Sequence, residues 1–338
     1  MKNSNISQLL LLVLSLAAPA FGITSAAQTA QTPPAPRNRA EVEAVLSKAP
    51  PALPASELRP LRIVLLADEK DHGLNEHDYP LWQKRWKVLL GGNQDSGGQT
   101  QVNLYGPPAL GDSKVLLSGT PKVNVTTAWK WPSREQLQTA DLIVMYCYRS
   151  GGGHWLWDEK SPKDLDAYLS RGGGFVVIHA ATYMHVDMAL PEWKSLLDLT
   201  GLAYGKGNRT RREPMEIRLA ADHPICRGLP ETIHLVDEPF WPAFGDQNTV
   251  QVLGTSQETI ARKSTELKTQ PMFWTYRRGK GRVFGCTPGH YTWTFDDPYF
   301  RLMLLRGMAW AAGEQPYRFD GLALRGVSLH DETAEKPK

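Results

Sequence analysis

Histidines and carboxylates recur in this chain where apolar runs end. Asp68-Glu69-Lys70-Asp71-His72-Gly73 follows the run Arg62 to Ala67 and continues into Glu76-His77-Asp78-Tyr79-Pro80. Arg149-Ser150, Gly151 to Gly153 and His154-Trp155 follow Asp141 to Tyr148, and His179-Ala180-Ala181-Thr182 closes the run from Phe175. Asp237-Glu238-Pro239 and Gly289-His290-Tyr291 come later. An imidazole with an ordinary pKa near 6.5 moves protons at neutral pH, and neutral imidazole with carboxylate is a common divalent-metal ligand set. His72, His179, Glu238 and His290 are therefore the expected general acid/base groups. Glu69, Asp71, His77, His154, Trp155, Asp237, Tyr291 and Trp293 are expected to contact a substrate. His72, His179, Glu238 and His290 would also suit Zn²⁺ with N/O ligation. Their separation shows no short signature such as HExxH, so metal-assisted and metal-free chemistry both stay open.

Each group has a plainer reading. A lone histidine at a strand end commonly serves only as a hydrogen-bonding group. Asp71 and Glu76 could solvate their loop or cap the helix that follows. Gly151 to Gly153 resembles a phosphate cradle but lacks the Lys-Ser/Thr ending of a P-loop. What favours a site is the coincidence of His72, His179, His290 and the acidic pair at independently expected carboxyl ends.

Those ends follow from the pattern of elements. Arg62 to Ala67, Val102 to Tyr105, Asp141 to Tyr148 and Phe175 to His179 read as strands, the last uninterrupted and apolar as a central parallel strand should be. Between them, Tyr79 to Leu90 sets Trp82, Trp86, Leu89 and Leu90 on one helical stripe. Arg134 to Thr139 is a brief helix, and a further one begins at a Ser161 cap with Leu165, Tyr168 and Leu169 inward. After a helix at Pro191 to Leu199, shorter strands follow at Met215 to Ala220, Thr249 to Thr255, Met272 to Arg277 and Arg282 to Thr287. The last two form a hairpin about Gly279-Lys280-Gly281. Asp297 to Ala312 closes the domain as a helix. The alternation predicts an α/β fold, a doubly wound, mostly parallel sheet with an antiparallel extension. In such sheets ligands bind beyond the carboxyl ends of the strands.

The strand and turn at Phe175 to Thr182 has the layout of a nucleophile elbow. Here His179 holds the position that a nucleophilic Cys or Ser would take, which disfavours covalent acyl transfer and suits proton transfer or metal ligation.

Composition narrows the class. The 338 residues are 41% hydrophobic and 22% charged, which excludes a disordered or fibrous chain. Lys and Arg total 38 against 35 acidic residues, too balanced for a nucleic-acid partner. Lys2 followed by the apolar run Leu9 to Ala18 reads as a signal peptide over residues 1–27, too short to span a bilayer. Export to the periplasm or beyond is expected, without stable membrane insertion. Residues 28–57, rich in Pro, Ala and Gln, read as a leader with room for a short helix near Glu41 to Lys48. The folded domain is expected over 58–325 and a polar tail over 326–338. Cys147, Cys226 and Cys286 allow one disulfide at most, and burial is expected for Cys147 and Cys286.

From Leu61 to Pro316 the chain resembles the trehalose-utilisation (ThuA-like) family, a branch of the class I glutamine amidotransferase-like superfamily. The resemblance rests on Lys70-Asp71-His72-Gly73, on GGGFVVIHAA from Gly172 to Ala181 and on HPICRGLP from His223 to Pro230. Asp237-Glu238, GKGRVF from Gly279 to Phe284 with the later Gly289-His290, and WAAG from Trp310 to Gly313 complete it. It implies a flavodoxin-like sheet, loss of the amidotransferase cysteine, and a role in sugar catabolism beside oxidoreductases that make 3-keto-glycosides. The matching rim positions are His72, His179, Glu238 and His290, and the resemblance implies that some members hold a divalent metal. His77 and His154, with the segment Glu76 to Pro80, depart from the pattern as features of a subgroup. The expected partner is a small carbohydrate or oxidised sugar, acted on by a base, an acid and an electrophile that is a metal or an arginine. The alternative is a non-catalytic sugar- or partner-binding module using Trp155, Trp157, Trp241 and Trp293 as a stacking platform.

Overall fold

A nine-stranded sheet organises the molecule, a computed structural model that describes residues 32–92, 101–107, 118–148, 160–184, 191–261 and 263–331. Its strands are β1 (Leu61–Ala67), β2 (Val123–Trp129), β3 (Leu142–Met145), β4 (Gly174–Ile178), β5 (Glu213–Leu219), β6 (Thr232–Asp237), β7 (Gln251–Thr259), β8 (Leu267–Arg278) and β9 (Gly281–Cys286). Their order across the sheet is β6-β5-β7-β8-β9-β4-β3-β1-β2. The five strands from β9 to β2 are parallel, and the four from β6 to β8 continue the sheet antiparallel. The α-helices among the described residues are α1 (Arg39–Ser47), α2 (Tyr79–Gly91), α3 (Arg134–Thr139), α4 (Ser161–Ser170), α5 (Pro191–Thr200) and α6 (Pro298–Ala311).

Sequence chemistry explains the division. Every residue of β3 (LIVM) and β4 (GFVVI) is buried, because parallel central strands are covered on both faces. In β5, Met215, Ile217 and Leu219 point inward while Glu216 and Arg218 face out, the alternation of a half-solvated antiparallel strand. Since antiparallel neighbours reverse direction pair by pair, β6 ends at the same edge as the parallel strands. Asp237 and Glu238 therefore arrive beside the loops that leave β1, β4 and β9. The order turns back at β1, which has β2 on one side and β3 on the other, the kind of switch point beside which open α/β sheets bind ligands.

The helices hold this edge in place. Asp78 caps α2 by accepting from the Leu81 N–H at 3.1 Å, and Tyr79, Trp82, Trp86, Leu89 and Leu90 are buried beneath it. Asp297 caps α6, a helix so enclosed that even Arg301 and Arg306 are buried, each paired with an aspartate, Asp296 and Asp320.

Several expectations change. Val102 to Tyr105 is not a strand: the N–H groups of Leu104 and Tyr105 both donate to Asp296 Oδ2, at 2.7 and 2.6 Å, which satisfies them without a ladder. The strand beside β1 is instead β2, whose VNVTTAW sequence is that of a polar edge. The α4 helix starts at Ser161 with no side-chain cap bond, so Ser161 is not its cap. The folded unit begins at Pro33 rather than near Leu58. Val42 and Val45 of α1 are buried in the core, and Arg37–Asn38 pairs in parallel with Leu329–His330, drawing in part of the expected polar tail. The predicted thiol burial extends to all three cysteines, none of them in a disulfide.

Candidate metal-binding active site

Three imidazoles and one carboxylate converge beyond the carboxyl edge of the sheet. His77 Nε2 lies 2.9 Å from His179 Nε2 and 2.9 Å from His290 Nδ1. Glu238 Oε2 lies 2.8 Å from His290 Nδ1 and 3.7 Å from His179 Nε2. All four residues are buried, and their ligand atoms lie within 4.8 Å of one another.

Each is delivered by a distinct local device. His179 directly follows β4, in a left-handed conformation at φ 49° that lifts its ring off the strand and stacks it on Phe240 at 4.5 Å. His290 follows Gly289, whose φ of 135° and missing side chain let the β9 loop close on the elbow. A Cβ there would meet Ile178 Cγ2 at 2.9 Å. His77 is brought in because the β1–α2 loop is stitched to the β9 loop: its N–H donates to His290 O at 2.9 Å, and Thr292 N–H donates to Asn75 O at 2.9 Å. Asn75 and His77, at φ 61° and 42°, make the turn that this requires.

Asp237 ties the remaining corner. Its Oδ1 accepts the N–H groups of Glu238, Gly289 and His290 at 2.6, 3.1 and 2.9 Å, and its Oδ2 accepts from the Thr294 hydroxyl. Burial raises its pKa in spite of these bonds. It is fully enclosed and positions the backbones of Glu238 and His290, so it cannot contact a substrate as the sequence suggested.

The second nitrogens decide the protonation pattern. His179 Nδ1 meets the Thr287 carbonyl at 2.5 Å, and a carbonyl only accepts, so Nδ1 carries the hydrogen and Nε2 presents a lone pair. His77 Nδ1 meets Asp71 Oδ1 at 2.8 Å with the same consequence for its Nε2. Burial keeps both rings neutral. It takes His77 down to about 4 against the pull of Asp71, and holds His179 well below 6.5 with repulsion from His77 and His290 adding to it. Two lone pairs thus face one another at 2.9 Å, which no hydrogen bond between neutral rings can satisfy. A cation between them does. Tetrahedral ligands about 2.05 Å from Zn²⁺ stand about 3.3 Å apart, close to the separations found here. The Nε2 of His290 has no hydrogen-bond partner and faces Glu76 Oε1 at 3.5 Å. Every ring thus turns its far nitrogen toward an oxygen acceptor, as metal-bound histidines do.

Carboxylates and one guanidinium complete the rim. Glu238 and Asp71 both lie well below the usual carboxylate range. Burial opposes this in each, but the hydrogen bond and charge of His290 prevail for Glu238, and the bonds to His72 and His77 prevail for Asp71. Arg212 donates from Nη1 to Glu76 Oε1 at 3.0 Å and from Nε to Glu238 Oε1 at 3.3 Å.

The expected residues fare unevenly. His179, Glu238 and His290 come together as anticipated. His77 takes the inner position that His72 was expected to hold, because the backbone stitch falls at His77. His72 sits outside, with its ring 3.9 Å from that of His77 and its Nδ1 2.8 Å from Asp71 Oδ1. Asp71 orients both histidines. Glu69 is exposed and makes no hydrogen bond or ion pair with the cluster among the described residues. Tyr291 and Trp293 are buried and stack on each other at 4.1 Å. Trp293 and Trp241 are buried, with their indole N–H groups held by the carbonyls of Val236 and Thr259, so neither presents an open ring face as the stacking platform would require. His154, Trp155 and Trp157 lie outside the described residues. Arg212 belongs to no motif in the sequence, and Glu76 reads there as a group that solvates its loop or caps α2. The arginines at 209, 211 and 212, just before β5, were the available signal.

Comparison with known proteins agrees with this architecture. Two crystal structures described as ThuA-like proteins share the fold. One, from Parabacteroides merdae, matches at TM-score 0.50 and 19% identity over 76% of this chain and 91% of its own. The other, from Bacteroides uniformis, matches at TM-score 0.51 and 16% identity over 77% and 96%. No curated protein sequence matches significantly. The family described as "ThuA: Trehalose utilisation" matches residues 111–311, a span that contains His179, Glu238 and His290 but not His77. On that match over more than half its length, the chain belongs to the ThuA, or trehalose-utilisation, family.

Proposed function

We propose that this sugar-utilisation-related protein is an exported, divalent-metal-dependent enzyme that acts on a small carbohydrate or keto-sugar by general acid/base chemistry. One observation carries the reading: the lone pairs of His77 and His179 face each other at 2.9 Å beside His290 Nδ1 and Glu238 Oε2, an arrangement that a bound cation would satisfy at once. His77, His179, His290 and Glu238 would hold the ion, with Zn²⁺ the natural first candidate for N/O ligation. When bound, it supplies Lewis-acid polarisation of a substrate oxygen.

The chain's own groups supply the rest. Asp71 fixes His72 through Nδ1, which leaves His72 Nε2 on the far side of the ring as the base for a proton next to a keto-sugar carbonyl. The side chain of His72 is 37% exposed, so a substrate can reach it. Arg212, on the same rim, offers positive charge to an oxygen that becomes negative. His179 at the elbow holds no nucleophile, so the reading includes no covalent acyl intermediate.

Export is supported by Lys2 and the apolar run Leu9 to Ala18. No helix among the described residues is long and apolar enough to cross a membrane. The mass of the protein recovered from the periplasm tests export: loss of about 27 residues is expected, and the full-length mass in the cytoplasm refutes it.

Activity is tested with trehalose and a panel of 3-keto-glycosides, comparing wild type, chelator-treated protein and His179→Ala. Wild type is expected to contain about one metal per chain and to turn over a member of the panel, with loss of turnover in the other two. Equal turnover by all three, or no stoichiometric metal, overturns the proposal.

A further inference from the structure

The two oxygens of Glu238 have different neighbours. Oε2 faces the imidazoles, 2.8 Å from His290 Nδ1. Oε1 is turned to the other side, where Arg212 Nε donates to it at 3.3 Å. The same guanidinium reaches Glu76 Oε1 through Nη1 at 3.0 Å, and Glu76 in turn faces His290 Nε2 at 3.5 Å. Arg212 is thus braced between a carboxylate after β6 and one in the β1–α2 loop. Its planar fork fixes the direction of both, as a single point charge could not.

A carboxylate beside a metal can bind through one oxygen or both, and the second mode fills an additional coordination position. Three imidazoles and one Glu238 oxygen leave a zinc-, cobalt- or manganese-sized ion with room for at least one more ligand. Rotation of Glu238 onto the ion would close that room. We infer that Arg212 is a positioning residue that holds Glu238 Oε1 off the metal, limits Glu238 to one ligand oxygen, and so keeps a coordination position open to water or a substrate oxygen. This rests on the metal-binding reading of the site and adds a role for a residue outside the ligand set. Glu76 serves as the second post: without it Arg212 would hold Glu238 at one point only.

The test uses the full-length mature protein with Mn²⁺ and Co²⁺ alone. Wild type is titrated with Mn²⁺, and the relaxation rate of water protons is measured per bound ion. Arg212→Gln is expected to bind Mn²⁺ with at least a twofold loss of that enhancement, because a second Glu238 oxygen replaces exchangeable water. The visible Co²⁺ spectrum should shift to match the change in ligand set. Wild-type enhancement and an unchanged Co²⁺ spectrum in an Arg212→Gln protein that holds its metal overturn the inference. If Arg212→Gln is unfolded or loses the ion, Arg212→Lys decides. Its ammonium satisfies one carboxylate at a time, so enhancement falls if the inference holds and equals wild type if it does not. Failure of the underlying reading looks different, since wild type itself would then bind neither ion stoichiometrically.

Discussion

The parallel and antiparallel halves of the sheet contribute different things to one edge. His77, His179 and His290 come from loops after β1, β4 and β9, all strands of the parallel half. Glu238 and Asp237 come from β6, and Arg212 precedes β5, at the far antiparallel end. The parallel half thus supplies the imidazoles, and the antiparallel half supplies the carboxylate that meets them and the supports that aim it. Separating the two lets the ligand rings be seated by rigid buried strands while the charged groups are adjusted from the extension.

The comparison can be broken most forcefully at Asp237. Replacing it by Ala leaves three backbone N–H groups of the edge without their acceptor. The expected cost is roughly 3–5 kcal/mol in urea unfolding, with Asp237→Asn well below that. An Ala variant as stable as wild type would mean that the antiparallel half does not support the site. Next comes the exchange of roles between neighbouring histidines. His77→Ala should weaken Zn²⁺ binding by more than about 100-fold in competition with a chelator, whereas His72→Ala should keep it within a few-fold. The reverse ranking would return His72 to the inner position. Asp71→Asn acts one step further out and should cost about tenfold in the same titration, since the His77 N–H loses its carboxylate acceptor.

The smallest effect lies wholly in the antiparallel half. His223, between β5 and β6, accepts the Ile225 N–H through Nδ1 at 3.2 Å, and burial lowers its pKa below 6.5. Below about pH 6.5 the unfolded chain therefore takes up a proton that the folded chain resists, and stability falls as pH drops through the folded value. Asn keeps an acceptor at this turn and does not titrate. Urea unfolding of His223→Asn should lose less stability than wild type between pH 7 and 5, and an identical slope would show that His223 is not protected by burial.

The same division governs what could be read from sequence. Strands such as LIVM and FVVI are continuous apolar runs, so β1, β3, β4 and β9, the hairpin and the histidines after them stand out. The antiparallel half follows alternation, and β6, reading TIHLVD, does not stand out as a strand. With it went the placement of Arg212 and the enclosed state of Asp237. The edge strand β2 was hidden because VNVTTAW carries polar residues where a central strand would not. His72 and His77 could not be ranked from residue type, since the deciding feature is a pair of backbone hydrogen bonds between loops over 200 residues apart in sequence. The N-terminal boundary is hidden for a related reason: Pro and Ala suggest a tether, yet Val42 and Val45 are core residues.

Arg37 sets how far the N-terminal segment can be shortened without loosening the fold. It pairs with Asp297 Oδ2 at 2.7 Å, lies over the Tyr299 ring at 4.1 Å and donates to His234 O at 2.7 Å, while its backbone runs beside Leu329. Asp297 in turn begins α6, directly after the turn that follows His290. Loss of residues before Pro33 would spare this latch, whereas removal of Arg37 would unfasten the start of α6 from the edge strand β6.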